Sequence, residues 1–190
     1  DLFVKEMAEK NEQLRAQSYE EIIEEELLGA RLYTGPMYEK YNAVLRACSG
    51  SQFLVSKASK LCSGNQYPTT ISAINSAVLK LSKLMHACKV WRGLANASLP
   101  DAFVTPNSFG VRGGIEFAFS STTVDRAQAE FYSSLGATSI VFEIQLGMID
   151  RGADLSWLSQ YPHEREILLP ALMGFEALRT HVEGSTLVVD

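Results

Sequence analysis

The sequence predicts an α+β fold in which helices come first along the chain and strands follow. Long segments without proline, charge-rich or amphipathic, occupy much of the first 88 residues. From Lys89 onward, short runs of β-branched and aromatic residues alternate with glycine, proline and asparagine, which is typical of strands and turns. This order favours mixed or antiparallel sheets over repeated βαβ units. At 190 residues, the chain is long enough for one sizeable core.

The N-terminal segment predicts a helical arm. Residues 5–30 (KEMAEKNEQLRAQSYEEIIEEELLGA) are charge-rich and contain no proline, and their first glycine, Gly29, is placed near the C-terminal stop of the helix. We treat residues 1–30 as this arm, either part of the domain or an extension to it. Residues 31–190 are then predicted to form a single domain.

Two more helices are expected before the strands begin. After the turn YTGP, residues 37–48 carry an apolar stripe of helical spacing. Residues 62–68 (CSGNQYP) are expected to form a loop. Residues 69–88 then repeat apolar side chains at helical spacing, with Thr69 or Thr70 as the N-cap.

Six segments in the second half of the chain predict strands: residues 89–95, 114–120, 138–146, 165–170, 175–183 and 186–190. One helix, at residues 124–135, interrupts them. Its side chains at Ala127, Ala129, Phe131 and Tyr132 are expected to cover a sheet.

Composition excludes several classes of protein. A net charge of −5 argues against a nucleic-acid backbone as the main partner. The three cysteines have no zinc-ligand spacing, and we expect mostly buried free thiols in a reducing, cytoplasmic setting. No apolar run is long enough to span a membrane, and no GxGxxG or Walker loop is present. The N-terminus lacks the layout of a signal peptide, and the chain is interpreted as an excised fragment.

Three short motifs are candidates for carrying chemistry: WRGL at residues 91–94, FAFSSTT at 117–123 and HEREILLP at 163–170. The planar fork of Arg92 suits a phosphate or a carboxylate, and Gly93 would let a flat ligand approach the backbone. An ordinary surface arginine is the alternative. The hydroxyls of the second motif either cap the following helix or hold a carboxylate in place.

The third motif places two glutamates one residue apart, directly before an apolar run. In a strand, Glu164 and Glu166 would share one face, while Ile167 and Leu169 would lie on the other. Two like charges side by side are unfavourable unless water or a cation lies opposite them. A solvated edge strand is therefore one interpretation, and a site for a cationic substrate is the other.

Together the three motifs resemble the arginine, serine and glutamate pattern of the mono-ADP-ribosyltransferases that use NAD. The resemblance runs from YTGPMYEKYNAVLR, near residue 33, to about residue 178, and its strongest part is YPHEREILLP. It implies a split β-sandwich of mixed and antiparallel sheets with a helical N-terminal region. It also implies transfer of ADP-ribose from NAD to arginine side chains of a protein acceptor, with release of nicotinamide.

The resemblance also implies roles for individual residues. Arg92, with Gly93, matches the NAD-binding arginine motif, and Ser121, Thr122 and Thr123 match the serine motif. Ser120 remains an alternative for the serine. Glu166 matches the catalytic glutamate, which would stabilise the positive charge that develops on the ribose. Glu164 matches the position that is glutamate in arginine-modifying members.

A carboxylate at Glu164 would pair with the acceptor guanidinium and draw off its proton. Tyr161 and Trp157 are candidates to stack on that guanidinium, the alternative being that they pack the loop onto the domain. NAD is then a substrate, and no metal, nucleic acid or membrane span is expected. The alternative functions are an NAD glycohydrolase and a module that only binds NAD or a partner.

Overall fold

The structure is a computed structural model that describes residues 2–190. Its six helices occupy the first half of the chain and one later segment. They are α1 (Leu2–Ala16), α2 (Glu24–Leu32), α3 (Tyr38–Ala47), α4 (Gln52–Cys62), α5 (Pro68–Leu81) and α6 (Arg126–Ser133). Short helical turns lie at Tyr33–Met37, Ser82–Leu84, Asp101–Phe103 and Pro162–Glu164.

Within residues 2–190, nine strands form two sheets. They are β1 (Lys89–Ala95), β2 (Gly113–Glu116), β3 (Ser120–Thr123), β4 (Ser139–Gln145), β5 (Ala153–Asp154), β6 (Glu166–Leu169), β7 (Met173–Glu176), β8 (Thr180–Glu183) and β9 (Thr186–Val189). The larger sheet has the order β5-β6-β3-β1-β4-β9-β8, and β2 pairs with β7 in the smaller one. All pairs are antiparallel except β4 with β9. The predicted α+β fold with mixed sheets is confirmed.

The N-terminal arm is two helices and not one. Residues 17–23 separate α1 from α2, and Gly29 lies inside α2 instead of ending it. A Cβ at Gly29 would lie 3.2 Å from the Cβ of Ala73, so the glycine allows α2 and α5 to approach closely. Arm residues such as Leu14 and Leu27 belong to the same buried cluster as Phe119. The boundary at residue 30 stays a prediction.

Differences in the other helices have local causes. Helix α4 was not predicted at all, although its cysteine and one alanine are buried. Helix α5 begins at Pro68, whose fixed φ suits a first helical position, and Tyr67 takes the N-cap place that was predicted for Thr69 or Thr70. It also stops at Leu81, seven residues earlier than predicted, and a short 3₁₀ turn follows it.

The segment predicted as one strand at 114–120 belongs to two sheets. Strand β2 ends at Glu116, and β3 begins at Ser120 in the other sheet. Between them, Ala118 and Phe119 are fully buried as the chain crosses from one layer to the other. Similarly, the segment at 175–183 forms the end of β7 and all of β8.

Helix α6 lies against β1, but fewer of its side chains cover the sheet than predicted. Ala129 is buried, whereas Ala127, Phe131 and Tyr132 are exposed. The approach is close because β1 has a glycine there. A Cβ on Gly93 would lie 1.8 Å from the carbonyl oxygen of Ala129.

The larger sheet splits at its centre. Strands β3 and β6 pair at four positions, whereas β1 and β3 pair only at Trp91 and Thr123. Beyond that pair, the two strands diverge and open a cleft between them. The ends of β1, β3 and β6 thus surround one space, and this feature positions the candidate site.

The cysteines are less buried than predicted. Cys62 is buried, Cys88 is intermediate and Cys48 is exposed, and all three are free thiols. Within residues 2–190, no helix has the length and apolar character needed to cross a membrane. In the same residues, no cluster of histidine, cysteine, aspartate or glutamate has the arrangement of a metal site.

Candidate active site

The cleft between β1 and β3 contains a cavity of about 610 Å³. Helix α3 and the preceding π-helical turn contribute to one wall, α6 contributes to another, and the turn before β6 contributes a third. Most of the residues predicted from the three motifs line this cavity. They are Arg92, Gly93, Ser121, Thr122, Glu164 and Glu166, and the aromatic candidate Tyr161 lines the cavity as well.

Arg92 projects from β1 and has an unused hydrogen-bond donor. Its Nη1 atom is buried and has no hydrogen-bond partner within residues 2–190. Burial lowers the pKa of the guanidinium, while the nearby Tyr33 and Glu116 act in the opposite direction. A buried cation without a hydrogen-bond partner at Nη1 is unfavourable, and so the site is suited to an anionic ligand.

Glu166 begins β6 and is only 5% exposed. Burial raises the pKa of its carboxyl to about 7, and the hydrogen bond from Ser121 opposes that shift. The charge of Glu164 adds to the increase. A carboxylate buried in a cavity with a shifted pKa is a usual mark of a functional group.

The two candidate serines lie in different surroundings. Ser121 lines the cleft cavity and its hydroxyl bonds the Glu166 carboxyl. Ser120 is buried and lines a different cavity, described below. The structure therefore brings Ser121, and not Ser120, to Glu166.

The two threonines of the second motif hold the third motif in place. The Thr122 hydroxyl donates to the carbonyl of Ile167 at 2.6 Å, and the Thr123 hydroxyl donates to the carbonyl of Glu164 at 2.8 Å. Both hydroxyls thus bind the backbone that carries the two glutamates. Thr122 lines the cavity, but its hydroxyl is already engaged.

Glu164 does not lie in a strand, so the strand alternation that was assumed for Glu164 and Glu166 does not apply. Glu164 ends the 3₁₀ turn Pro162–Glu164, and Arg165 follows with φ 48°, in the left-handed region. The turn still directs Glu164 into the same cavity as Glu166. The Glu164 carboxylate accepts a hydrogen bond from the hydroxyl of Tyr132 on α6.

The two aromatic candidates for acceptor binding, Tyr161 and Trp157, lie in different surroundings. Tyr161 is 46% exposed and lines the cavity, with its ring edge-on to His163 at 6.3 Å between centroids. Trp157 packs against the helical core, and its Nε1 donates to the carbonyl of Asp154 at 3.0 Å. Trp157 does not line the cavity, so loop packing describes it better than acceptor binding.

The structure shows a packing reason for Gly93, while its predicted role beside a flat ligand stays a prediction. Gly93 lies on the cavity wall, but the space that a side chain would need is filled by the backbone of α6, at Ala129 and Ser133. Helix packing thus requires the glycine, whatever approaches it from the cavity.

A second cavity, of about 450 Å³, shares the lining residues Arg92 and Leu94 with the first one. It lies between β1 and β4 on one side and β2 and β7 on the other, and its lining is largely apolar. Glu116 lies at this cavity and accepts a two-pronged bond from Arg46, at 2.8 and 3.1 Å. Although burial opposes it, this bond lowers the pKa of the Glu116 carboxyl.

Several polar residues of the cleft were not predicted as site residues, and four of them take part in hydrogen bonds or ring contacts at its wall. Tyr33, Tyr38 and Asn42 come from the turn before α3 and from α3 itself, and Tyr132 comes from α6. Asn42 donates to the Tyr33 hydroxyl at 3.0 Å, and its own Oδ1 is buried without a partner in the described chain. The helical stripe at 37–48 indicated buried positions there, but no pattern in the sequence indicated that these groups line the same cavity as Arg92.

The chain matches the family model described as ADP-ribosyltransferase exoenzyme over residues 8–184. It belongs to that family of mono-ADP-ribosyltransferases, and the predicted resemblance is confirmed at this level. A comparison with curated protein sequences found no significant match.

Solved structures agree with this assignment. The chain is similar to the ADP-ribosyltransferase HopU1 of Pseudomonas syringae, with 25% identity, a TM-score of 0.64 and coverage of 86% of this chain and 75% of that one. Vis, an ADP-ribosyltransferase from Vibrio splendidus solved with agmatine, has 18% identity and a TM-score of 0.63, covering 98% and 82%.

Exoenzyme S from Pseudomonas aeruginosa, solved with the NAD analogue Carba-NAD and human 14-3-3 protein beta, has 20% identity and a TM-score of 0.58. The match covers 87% of this chain and 72% of that one. Together with Vis, it shows the fold: a helical region followed by the split sheet.

Proposed function

We propose that this chain transfers ADP-ribose from NAD to a guanidinium group, with an arginine side chain of a protein as the acceptor and nicotinamide as the released product. The observation that carries the proposal is the arrangement of charges in one cavity. Arg92, with a free Nη1, contributes to one wall, and Glu164 and Glu166 contribute to another. A cation for phosphate and two carboxylates for positively charged groups are what this reaction needs.

NAD suits the two neighbouring cavities, which share Arg92 in their lining. Its diphosphate is an anion for which Arg92 offers a bidentate donor. The flat adenine suits the mostly apolar cavity between the sheets, and the nicotinamide ribose suits the cavity that holds Glu166. The NAD analogue bound to exoenzyme S supports NAD as the substrate.

Glu166 is placed to stabilise the reaction centre. As the bond from ribose to nicotinamide breaks, positive charge develops on the ribose, and an ionised carboxylate beside it lowers the barrier. At about 4 Å and an effective dielectric constant near 20, such a pair is worth about 4 kcal/mol, or about three powers of ten in rate. Ser121 would orient this carboxylate through its hydrogen bond.

Glu164 serves the acceptor in this proposal. A guanidinium is protonated at ordinary pH and needs a carboxylate to pair with it and remove its proton as it attacks. The positive charge of the guanidinium also relieves the repulsion between the two glutamates. Tyr161, at the cavity wall, is available to stack on the guanidinium. The agmatine bound to Vis, a small guanidine, supports this class of acceptor.

The decisive experiment incubates the chain with labelled NAD, with and without agmatine. It compares the wild type with Glu164→Gln and Glu166→Gln, and it includes Glu9→Gln, an exposed glutamate of α1, as the matched control. We expect labelled agmatine from the wild type and the control. Glu164→Gln should lose the transfer but retain some NAD hydrolysis.

Two results would contradict the proposal, and each points to one alternative. Equal NAD consumption by wild type and Glu164→Gln, without labelled agmatine, would indicate an NAD glycohydrolase. No consumption of NAD by any variant would indicate a module that only binds NAD or a partner.

A further inference from the structure

A tyrosine on α6 holds one of the two glutamates from across the cavity. The hydroxyl of Tyr132 donates a hydrogen bond to Oε1 of Glu164, 32 positions away along the chain. Tyr132 lies in the last turn of α6, which is packed onto β1 through Gly93. The bond therefore joins the strand of Arg92, through α6, to the turn of Glu164.

Glu164 is held from a second direction through its backbone. Its carbonyl accepts the hydrogen bond from Thr123 on β3, at 2.8 Å. The side chain alone would rotate freely about its three χ angles, since the residue is only half-buried in a turn. The bond to Tyr132 fixes Oε1 and leaves Oε2 for another donor.

The proton of this bond stays on the tyrosine. The bond to Glu164, followed by burial, raises the pKa of Tyr132 to about 12. Tyr38, also at the cavity, has its pKa raised by burial and by the charges of Glu39 and Glu164. At neutral pH, both phenols are thus neutral, and Tyr132 acts as a donor and not as a base.

We propose that Tyr132 is a positioning residue for the acceptor: it fixes the Glu164 carboxylate so that the free oxygen meets the incoming guanidinium. This inference rests on the proposed function. In the transfer step, a guanidinium nitrogen bonds to the anomeric carbon as the bond to nicotinamide breaks. Nicotinamide leaves as a neutral molecule with that electron pair, and Glu164 takes the proton from the attacking nitrogen. Tyr132 keeps its own proton throughout.

The first test replaces Tyr132 by phenylalanine, which keeps the ring and removes the hydroxyl. We expect the ratio of agmatine transfer to NAD hydrolysis to fall about tenfold, because a hydrogen bond to a charged group is lost. The fall should appear in kcat/KM for agmatine, with KM for NAD unchanged. Tyr19→Phe, an exposed tyrosine outside the cavity, should leave both activities as in the wild type.

The second test detects the hydrogen bond between Tyr132 and Glu164 without measuring enzyme activity. Tyrosine labelled with ¹³C at Cζ is followed by NMR as the pH is raised to about 11, with the Tyr132 signal assigned from Tyr132→Phe. In the wild type, the signal should stay that of the neutral phenol. In Glu164→Gln it should begin to ionise at a lower pH, because the main cause of its raised pKa is gone.

The outcomes separate this inference from the proposed function. If the wild type modifies agmatine and Tyr132→Phe keeps the wild-type ratio, the positioning role is wrong and the function stands. If transfer and hydrolysis fall equally in Tyr132→Phe, the residue serves the fold or NAD, and the inference is overturned. If the wild type does not modify agmatine but the NMR shift depends on Glu164, the contact stands and the proposed function fails.

Discussion

Glu164 and Glu166 are separated by one residue, yet their surroundings differ in almost every respect. Glu166 starts a strand that is buried along its whole length, and it is itself 5% exposed. Glu164 ends a 3₁₀ turn, is half-buried, and accepts a hydrogen bond from the hydroxyl of a tyrosine. One carboxyl is isolated from water, and the other remains near it.

The difference gives a physical basis for the separate tasks that we propose for these two identical side chains. Burial raises the pKa of Glu166 to about 7, so its charge is costly until a cationic centre forms beside it. In the proposed reaction, Glu164 would need a different property, which is a fixed direction toward an acceptor that arrives from solvent. Backbone geometry provides this division, because the left-handed Arg165 separates the turn from the strand. Three predictions test the comparison.

The largest effect is expected at Glu166. Glu166→Gln removes the charge but keeps the size of the side chain, and NAD consumption should fall by about three powers of ten, with or without agmatine. The measurement is the rate of nicotinamide release. A variant that still hydrolyses NAD within about tenfold of the wild type would show that the buried carboxyl is not the one at the reaction centre.

The next effect concerns stability. Burial raises the pKa of the Glu166 carboxyl from its ordinary value of 4.5 to about 7, so between these pH values the folded state binds more protons than the unfolded state. The free energy of unfolding should therefore fall as the pH rises through this window, by about 3 kcal/mol from this residue alone. Urea unfolding at a series of pH values measures it.

The control for this prediction is Glu166→Gln, which cannot titrate. The wild type should lose stability relative to Glu166→Gln as the pH rises from 4.5 to 7, and their difference should then level off. Parallel pH profiles for the two proteins would mean that Glu166 is hydrated and that its pKa is ordinary.

The smallest effect compares the two threonines that support the glutamates. Thr123→Val loses the bond to the Glu164 carbonyl, and the ratio of agmatine transfer to NAD hydrolysis should fall about fivefold, for a net loss of about 1 kcal/mol. Thr122→Val loses the bond to Ile167 within the strand, and it should lower both activities together. The same kinetic assay measures both, and identical ratios in the two variants would contradict the separation.

The regular strands of the fold were well predicted from the sequence. Strand β1 has the predicted bounds of residues 89–95, and β6 lies within the predicted 165–170. Alternation of apolar and polar side chains, or a continuous apolar run, is a local property of the chain, so it can be seen in a single sequence. Strands β2 and β3 enter different sheets because they pair with different strands. No local pattern in the sequence indicated where the chain crosses from one sheet to the other.

The candidate site was predicted in its residues but not in its geometry. Arg92, Ser121 and Glu166 were named from motifs, and they line one cavity. Strand alternation predicted that the side chains of Glu164 and Glu166 point the same way. Both line one cavity, but Glu164 lies in a turn, so strand alternation is not the cause. Tyr132 was predicted to cover a sheet. Its hydrogen-bond partner, Glu164, comes from a turn far away in the chain, so no local pattern indicated their contact. Contacts of that kind depend on the completed fold.

The contact between Gly93 and α6 has a consequence for how such an enzyme can change over time. With the Ala129 carbonyl 1.8 Å from where a side chain would begin, position 93 admits no larger residue unless the helix moves. Moving the helix would shift Tyr132 away from Glu164, so a substitution beside Arg92 would also alter the surroundings of Glu164. Gly174, where a side chain would meet open space, carries no such restriction. We expect sequence drift to be tolerated at the second glycine and not at the first.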